Sequence, residues 1–492
     1  MKTLRLTIPE SSGRLEVDIS RPALWINPQR DPRLVTLERD GNELVLRDET
    51  YSSGTLHLAG TLDGQGPIVF HTAILMLRKE PYRLAAELAR GQANKLRNLS
   101  AEWEREGWSP PEELQLRARE HASMLCQAIK ATNTAQADET AIQSLASTIS
   151  FGDELASTYS SWRLDQRLRH IVVPSASLYN VEASESIAPE LAFVANVWPS
   201  EDAVIDRLAE NFDRAILPIS WPRIEQPDGT YDWDLLDREV DMCLAEGIAP
   251  TMGPILDFRP GGVPTWLAQW ESDPVTLVTL LVDIVETVVG RYAGKIRSWI
   301  ITSGTNAPSL LHLSSDKREW LTGRLLHAAK HIQPEGQFVI GLAQPWGWYS
   351  GAEKSGWPLD FVENILRSGV RPQAVQVDLR LGLDEVEPWR TVLDVSKVLG
   401  RFKRLSIPLW VKISSPAPPA DSPFETKHAD YMERLTVACL AKPYVEQVSF
   451  ANVQDDPASH LLTGLLRQDS SPRPILARLE SLYDRLRSCE NA

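Results

Sequence analysis

The chain is predicted to contain a (β/α)8 barrel, a TIM barrel of the α/β class, preceded by an antiparallel β-sandwich and a helical connector. Eight short apolar strands alternate with helical stretches from about residue 190 onward. Over residues 1–78, polar and apolar residues instead alternate with a period of two, and Gly-containing turns separate the runs. Because single cores stop growing at roughly 250–300 residues, a chain of 492 residues is expected to form several domains.

The first part of the chain changes its hydrophobic period near residue 80. Five strands are predicted before that point, at 4–8, 14–19, 42–48, 54–60 and 67–77. Apolar residues spaced three and four apart then predict three helices. The first begins near Glu80 with Pro81 in its first turn, the second follows Pro110-Pro111, and the third covers 138–168. We therefore divide the chain into a sandwich (1–78), a helical connector (79–187) and a barrel (188–492).

The barrel prediction rests on eight strand–helix units in about 300 residues, the usual number for this fold. The strands are predicted to begin near 191, 214, 249, 298, 337, 374, 409 and 446. A doubly wound open sheet is the alternative, but no GxGxxG follows the first strand and no GxxxxGK[ST] occurs in the sequence. In a barrel, ligands bind at the C-terminal ends of the strands.

Composition and charge narrow the possible partners. A net charge of −15 disfavours binding to nucleic acid or to an anionic membrane surface. No apolar run is long enough to cross a membrane, and the N-terminal residues lack the apolar segment of a signal peptide, so a cytoplasmic location is expected. The four cysteines are far apart in the sequence, so we expect reduced thiols. No HxH or HExxH pattern occurs, so we expect no metal, and we expect no other cofactor.

Five segments of the predicted barrel resemble family 10 glycoside hydrolases, the endo-xylanases of the large retaining clan of (β/α)8 glycosidases. They occur in the family's order over roughly residues 190–485, and they are IEQPDGTYDWDLLDREVDMCLAEGI (224–248), VPTWL (263–267), RYAGKIRSWIITSGTNA (291–307), IPLWVKISS (407–415) and LLTGLLRQDSSPRPILARL (461–479). The resemblance implies a barrel of the xylanase type with a carbohydrate ligand.

The same resemblance places the family's acid/base glutamate at Gly304 and its nucleophile glutamate at Ile413. No Asp or Glu occurs in residues 295–315 or in residues 405–420, so a small shift of register does not restore either one. Retaining hydrolysis needs two carboxyl groups about 5–5.5 Å apart. The sequence therefore predicts a barrel that has lost the family's hydrolysis.

Polar and aromatic residues nevertheless follow the predicted strand ends, and they suit a saccharide, because aromatic faces pack on sugar rings while amides, carboxylates and guanidinium groups bind hydroxyls. The predicted carbohydrate-binding residues are Trp221, Arg223, Asp257, Arg259, Asn306, Gln344, Trp346, Trp348, Asp378, Arg380, Lys412 and Asn452. For Trp346 and Trp348, packing in the barrel wall is an equal alternative.

Several interpretations stay open at this point. The first is a barrel that binds a saccharide or glycoconjugate without hydrolysis. The second is an active glycosyl hydrolase or transferase in which Asp257 pairs with Asp378 or Glu385 as relocated catalytic carboxylates. The third is a non-catalytic scaffold protein. Asp257, Asp378 and Arg380 could also form a structural ion-pair network, with Lys412 either paired to Asp378 or pointing into the mouth.

Overall fold

The computed structural model describes most of the chain: residues 2–9, 13–27, 32–48, 53–76, 78–130, 134–169, 189–199, 201–226, 229–307, 313–347, 357–383, 388–420, 422–457, 459 and 461–488. The last part of the predicted helical connector, residues 170–187, lies outside these residues.

Short strands form the N-terminal part. In chain order they are β1 (Lys2–Thr7), β2 (Leu15–Val17), β3 (Ala23–Ile26), β4 (Pro32–Val35), β5 (Glu38–Asp40), β6 (Glu43–Asp48), β7 (Ser53–Leu62), β8 (Gly66–His71), β9 (Leu75–Met76) and β10 (Tyr82–Arg83).

These strands make two sheets with a common core, which agrees with the predicted sandwich. One sheet has the order β10-β1-β6-β5, and the other is built around β7, which pairs with β2, β3, β8 and β9. All pairings are antiparallel except that of β1 with β10. Leu4 and Leu6 of the first sheet share one hydrophobic cluster with Trp25, Leu56 and Leu58 of the second.

Four strands of the N-terminal part, β3, β4, β5 and β10, escaped the sequence prediction, and one predicted run was divided. The segments β3, β4 and β5 are too short to display a clear period of two, and β4 begins at a proline, which is tolerated at a strand's first residue. The run 67–77 is two strands, since both β8 and β9 pair with β7.

Three helices follow: α1 (Leu84–Arg105), α2 (Glu112–Lys130) and α3 (Thr134–Leu168). The first begins four residues later than predicted, because Tyr82 and Arg83 extend the first sheet beside β1 and leave Pro81 outside the helix. Helices α1 and α3 pack on the sandwich through residues such as Leu88 and Leu145. None of the helices described here is long and apolar enough to cross a membrane.

The remaining elements alternate between strands and helices. In chain order they are β11 (Glu190–Val194), α4 (Asp202–Asn211), β12 (Arg214–Leu217), α5 (Trp221–Ile224), α6 (Asp234–Ala245), β13 (Ala249–Met252), β14 (Leu256–Asp257), a 3-10 helix (Thr265–Trp270), α7 (Pro274–Tyr292), β15 (Ser298–Ser303), α8 (Ser315–Ile332), β16 (Gln337–Leu342), α9 (Pro358–Arg367), β17 (Ala374–Arg380), α10 (Val392–Phe402), a 3-10 helix (Lys403–Leu405), β18 (Leu409–Ser414), α11 (Glu425–Leu440), β19 (Val445–Phe450), β20 (Asn452–Gln454), β21 (Gly464–Leu466) and α12 (Pro474–Ser488).

The barrel strands close on themselves, which confirms the predicted (β/α)8 fold and excludes the open sheet. Their order is β13-β12-β11-β19-β18-β17-β16-β15, every pairing is parallel, and β13 pairs with β15 to complete the ring. The short β14 continues the third barrel strand and also pairs with β15. The first and last strands begin one residue before their predicted positions, and the other six begin at them.

Barrel side chains form two apolar layers, as the alternation along a strand requires. The inner cluster takes residues from several strands, among them Ala192, Ile216 and Trp410. The outer cluster joins alternate residues such as Val411 to helix residues such as Leu435. The layer to which a strand residue belongs therefore decides whether it can reach the barrel mouth.

The sandwich and the connector lie against one side of the barrel. Phe151 of α3 shares a cluster with Val392 of α10 and Ala438 of α11, and Lys95 of α1 bonds to Asp394 of α10 at 2.7 Å. This contact positions a sandwich face next to α10.

Candidate ligand site at the barrel mouth

A chain of alternating charges crosses the C-terminal end of the barrel between the third, sixth and seventh strands. Nη1 of Arg259 donates to Oδ2 of Asp378 at 2.9 Å, and Nη2 of the same guanidinium donates to Oδ2 of Asp257 at 2.5 Å. Lys412 lies opposite Asp378 in the strand register, and its Nζ is 3.0 Å from Oδ2 of that carboxylate. Lys412 therefore makes the salt bridge that the sequence offered as one of two possibilities.

The charged groups of this network interact strongly because their side chains are buried. The Asp378 side chain is 3% exposed and that of Lys412 is 11% exposed. Burial by itself raises the pKa of Asp378, but the positive charges of Lys412, Arg259 and Arg380 outweigh it, so that the pKa lies below its ordinary value of 3.8. Burial lowers the pKa of Lys412 below 10.5 despite the attraction of Asp378. Asp378 is therefore a carboxylate at neutral pH.

A narrow slot opens beside this network, between the ends of the fifth and sixth strands. It is lined by Gln344, Pro345, Trp346, Asp378, Arg380, Pro388 and Arg390. Oδ1 of Asp378 is buried here without a hydrogen-bond partner in the described part of the chain. A buried carboxylate oxygen without a donor is unfavourable. The slot is too narrow to hold a water molecule, so a ligand reaches this acceptor only if the side chains that line the slot move apart.

The turn at one side of the slot has a strained backbone. Gln344 has a φ of 51°, in the left-handed region that non-glycine residues seldom adopt, and Gly347 follows with a φ of 73°. The Gly347 amide donates to the Gln344 carbonyl at 2.8 Å and closes the turn. A residue held in this region costs about 1–2 kcal/mol relative to the right-handed one. The turn fixes both the Gln344 amide and the Trp346 indole beside Asp378.

Trp346 both lines the slot and packs against the barrel core. Its ring is half-buried. The guanidinium carbon of Arg390 lies 4.7 Å from the centre of that ring and covers one face. Arg390 therefore leaves only the edge and the other face of the indole to border the slot.

The two positions that the resemblance assigns to the catalytic glutamates do not present a side chain to the mouth. Gly304 is buried with a φ of 73°, and a Cβ there would lie 3.2 Å from Cγ of Arg259. Ile413 is 1% exposed and belongs to the outer layer, between the inward-facing Lys412 and Ser414. Strand alternation thus directs position 413 toward the helices.

Asn306, a predicted sugar ligand, bonds to backbone instead. Its Nδ2 donates to the carbonyl of Ala343 at 2.8 Å, and its Oδ1 accepts from the amide of the same residue at 2.9 Å. The side chain is 97% buried by this arrangement, since its residue is only 3% exposed. It joins the ends of the fourth and fifth strands and holds the turn that begins at Gln344.

The other predicted ligand residues are spread around the mouth. Trp221 is buried in the core with its ring edge-on to Trp266 at 5.7 Å, and Arg223 is exposed on the short helix α5. Asn452 donates to the hydroxyl of Thr463. The structure therefore brings together Asp257, Arg259, Gln344, Trp346, Asp378, Arg380 and Lys412, and it does not bring Trp221, Arg223, Asn306 or Asn452 to the slot.

Two of the predicted residues are not among those that the structure describes, and three residues of the barrel mouth and interior were not predicted. Trp348 and Glu385 lie outside the described residues. Arg390 lines the slot but was missed, because it follows the strand end by ten positions and carries no motif. Gln376 and Gln447 were also missed, although their alternation with apolar neighbours on β17 and β19 indicated that they face the barrel interior, where their amides lack partners within the described chain.

Comparison with known proteins gives results that agree with the family resemblance. No protein-family model matches the chain. The endo-1,4-beta-xylanase B of Thermotoga neapolitana is 20% identical over 246 residues, which are 48% of this chain and 68% of that protein. Among solved structures, xylanase 10B of Thermotoga maritima is 15% identical, with a TM-score of 0.48, and the alignment covers 64% of this chain and all of that one. A family 10 endoxylanase from a sugarcane soil metagenome is also 15% identical, with a TM-score of 0.48 and coverage of 60% and 97%. The chain is thus similar to a known xylanase over about half of its length. The barrel fold stands on the closed strand ring itself.

Proposed function

We propose that this chain is a glycoside-hydrolase-like barrel protein that binds a saccharide or glycoconjugate at its mouth without the retaining hydrolysis of family 10. The observation that carries the proposal is the slot at the ends of β16 and β17. It places an amide, an indole edge, an unsatisfied carboxylate oxygen and guanidinium groups next to one another. These groups are the ones that bind sugar hydroxyls and ring C–H faces.

The strained turn supports a ligand-binding role. A left-handed Gln344 is less stable than a glycine would be at this position, and backbone strain of this kind is concentrated at binding sites. The Asn306 side-chain amide fixes the start of the turn through two hydrogen bonds to the backbone of Ala343. The chain therefore uses a rigid support to present Gln344 and Trp346, which lowers the entropy lost on binding.

The two assigned positions support the proposed loss of retaining hydrolysis. Glycine has no side chain to protonate a leaving group, and an outward-facing isoleucine has no nucleophilic atom. The inward neighbour of that isoleucine is Lys412, whose ammonium group is paired with Asp378. A cation therefore lies at the end of the seventh strand, in the region where a carboxylate nucleophile is needed.

The relocated pair of Asp257 and Asp378 fits catalysis less well. A glycosidic bond must lie between the two carboxyl groups, but the guanidinium of Arg259 bonds to both and fills that space. Asp378 is also kept ionised by its positive neighbours, so it cannot act as the proton donor. Glycosyl transfer through this pair requires Arg259 to leave, and the described network provides three hydrogen bonds from its side chain to Asp257 alone.

Substitutions in the slot are expected to separate binding from stability. Gln344→Gly removes the amide and relieves the left-handed strain, so saccharide affinity should fall about tenfold while the melting temperature is unchanged or higher. Trp346→Ala should lower affinity at least as much. Titration calorimetry with a saccharide selected on a glycan array measures the affinity of each variant, and thermal denaturation measures its melting temperature. The matched control is Trp320→Ala, which removes an exposed indole on α8.

Two results would contradict this proposal. If the unmodified protein binds no glycan on the array, the scaffold interpretation takes its place. If a glycan binds but Gln344→Gly and Trp346→Ala leave its affinity unchanged, the ligand does not occupy the slot.

A further inference from the structure

A second cavity lies beside the slot, where the sandwich meets the barrel. Its floor is a face of the sandwich sheet and its walls are α10 and two indoles; the lining residues are Leu24, Ile26, His57, His71, Trp346, Trp357, Arg390, Asp394, Lys397, Val398 and Arg401. The space holds roughly two or three water molecules, which is the size of a small oxyanion.

One face of α10 gives this cavity its charge. Asp394, Lys397 and Arg401 follow one another at spacings of three and four residues, so they share a side of the helix. The single carboxylate among them is already neutralised, because Oδ1 of Asp394 accepts from Nζ of Lys95 at 2.7 Å and Oδ2 accepts from the Thr391 hydroxyl at 2.8 Å. The other charged groups that line the cavity are cations.

Lys397 is the group in this cavity that most clearly suits an anion. Within the described part of the chain its ammonium group has no ion-pair partner. Burial, together with the positive charges of Lys95 and Arg401, lowers its pKa to about 8, and the attraction of Asp394 and Glu102 does not compensate. An ammonium group held among cations destabilises the fold, so its presence indicates a function outside stability.

The two guanidinium groups are held in place by the indoles. The guanidinium carbon of Arg390 lies 4.7 Å from the ring centre of Trp346, and that of Arg401 lies 4.5 Å from the ring centre of Trp357. Stacking on an aromatic ring fixes the plane of a guanidinium group without engaging all of its N–H donors. Two oriented guanidinium groups beside an ammonium suit an anion with several acceptor oxygens.

The sandwich supplies two neutral donors from the opposite side. His57 and His71 are paired across β7 and β8, with ring centres 5.5 Å apart. Burial lowers both pKa values well below 6.5, and the positive charges around Lys397 and Arg390 lower them further. Each ring is therefore neutral at pH 7 and carries one N–H donor and one acceptor. In His57, Nε2 is already engaged with the Thr55 hydroxyl at 3.3 Å, so Nδ1 is the nitrogen that can serve a ligand.

We propose that this cavity is a binding site for a divalent tetrahedral oxyanion, either free phosphate or the phosphate group of a larger ligand. Lys397 provides the charge partner, the stacked guanidinium groups of Arg390 and Arg401 provide oriented donors, and His57 and His71 close the site from the sandwich. The bound anion contacts both the sandwich and α10, so it stabilises their association. The site is separate from the proposed saccharide slot, although Trp346 and Arg390 line both.

Inorganic phosphate and the full chain provide the direct test. Calorimetry at constant ionic strength should show one site with a Kd of about 1 mM or tighter, and phosphate should raise the melting temperature more than chloride does. Lys397→Gln should weaken binding at least about tenfold and should raise the melting temperature in phosphate-free buffer. Lys397→Arg should retain binding, and Lys330→Gln, an equal change of charge on the exposed side of α8, should alter neither quantity.

Sulfate allows the pH dependence of anion binding to be measured, because it remains divalent over the pH range in which phosphate changes its charge. Lys397 loses its charge as the pH rises through about 8, so sulfate affinity should fall there in the unmodified protein and not in Lys397→Gln. The other groups around Lys397 are Lys95, Arg401, Asp394 and Glu102, with His57, His71 and Arg390 across the cavity, and the histidines are already neutral.

Sugar phosphates distinguish the two sources of the anion: tighter binding than phosphate indicates a larger ligand, and equal or weaker binding indicates free phosphate. The proposal is overturned if no phosphate binding exceeds the chloride control, or if Lys397→Gln binds phosphate as well as the unmodified protein does. Because the saccharide slot is probed by Gln344→Gly, failure of either proposal leaves the other testable.

Discussion

Purified protein is expected to release no reducing sugar from xylan and no aryl alcohol from aryl-xylosides. The expected rate is roughly a million-fold below that of a family 10 xylanase assayed in parallel, since catalytic groups that act as a unit lose about this much when they are removed. The physical reason is that position 304 has no side chain and position 413 faces the outer helices. Reducing-sugar and chromogenic assays measure it.

Restoring glutamates at these positions is not expected to restore hydrolysis. Glutamate at position 304 must adopt a φ near 73°, with its Cβ only 3.2 Å from Cγ of Arg259. Glutamate at position 413 must enter an apolar layer where the isoleucine is 1% exposed, and burying an unpaired carboxyl group there costs several kcal/mol. Gly304→Glu with Ile413→Glu should therefore be inactive and less stable than the unmodified protein.

Hydrolysis at ordinary xylanase rates would show either that the assignment of Gly304 and Ile413 is wrong or that other carboxylates have taken over catalysis. The variant Asp257→Asn then identifies the source. If it abolishes the activity while the fold persists by circular dichroism, the relocated carboxylates are catalytic after all. If it leaves the activity intact, the reaction uses neither Asp257 nor the family positions.

The barrel was predictable because its strands are apolar runs of four to seven residues, bounded by turns and followed by helical periods. Such runs are buried on both faces in a parallel barrel, so local composition already marks them. The sandwich was less predictable. Strand β3 spans only Ala23–Ile26, and its place in the sheet depends on pairing with β4 and β7 rather than on its own pattern.

The contacts of the candidate site were predictable only between residues near the ends of neighbouring strands. Asp378 and Lys412 end neighbouring strands, so their pairing was one of the alternatives drawn from the sequence. The contact of Arg259 with Asp378 joins residues 119 positions apart across the barrel, and no local pattern indicates it. The anion cavity depends on a missed strand and on the docking of the sandwich against α10, so it became visible only in the structure.

Removal of the Asp378 charge is expected to destabilise the barrel strongly. Asp378→Ala leaves the buried ammonium of Lys412 and one arm of Arg259 without their carboxylate, and breaking a buried pair in this way costs about 3–5 kcal/mol. Asp378→Asn should lose a comparable amount, because the amide cannot balance either cation. Chemical denaturation measures the loss. The exposed pair of Lys295 and Asp241 is the control, and Asp241→Ala should cost less than about 1 kcal/mol.

Two further measurements test whether charge, rather than packing, is responsible for the loss. Adding Lys412→Met to Asp378→Asn should recover part of the stability, because it removes the unbalanced ammonium. The pKa of Asp378 is lower when folded than its ordinary value of 3.8, so its stabilising effect is present above that pH and is lost as the pH falls below it. The difference between the unmodified protein and Asp378→Asn should therefore be full at pH 6 and should shrink below about pH 4. A difference that is independent of pH, with no recovery in the double variant, would show that Asp378 contributes packing alone and that the charge network at the mouth does not hold the strand ends together.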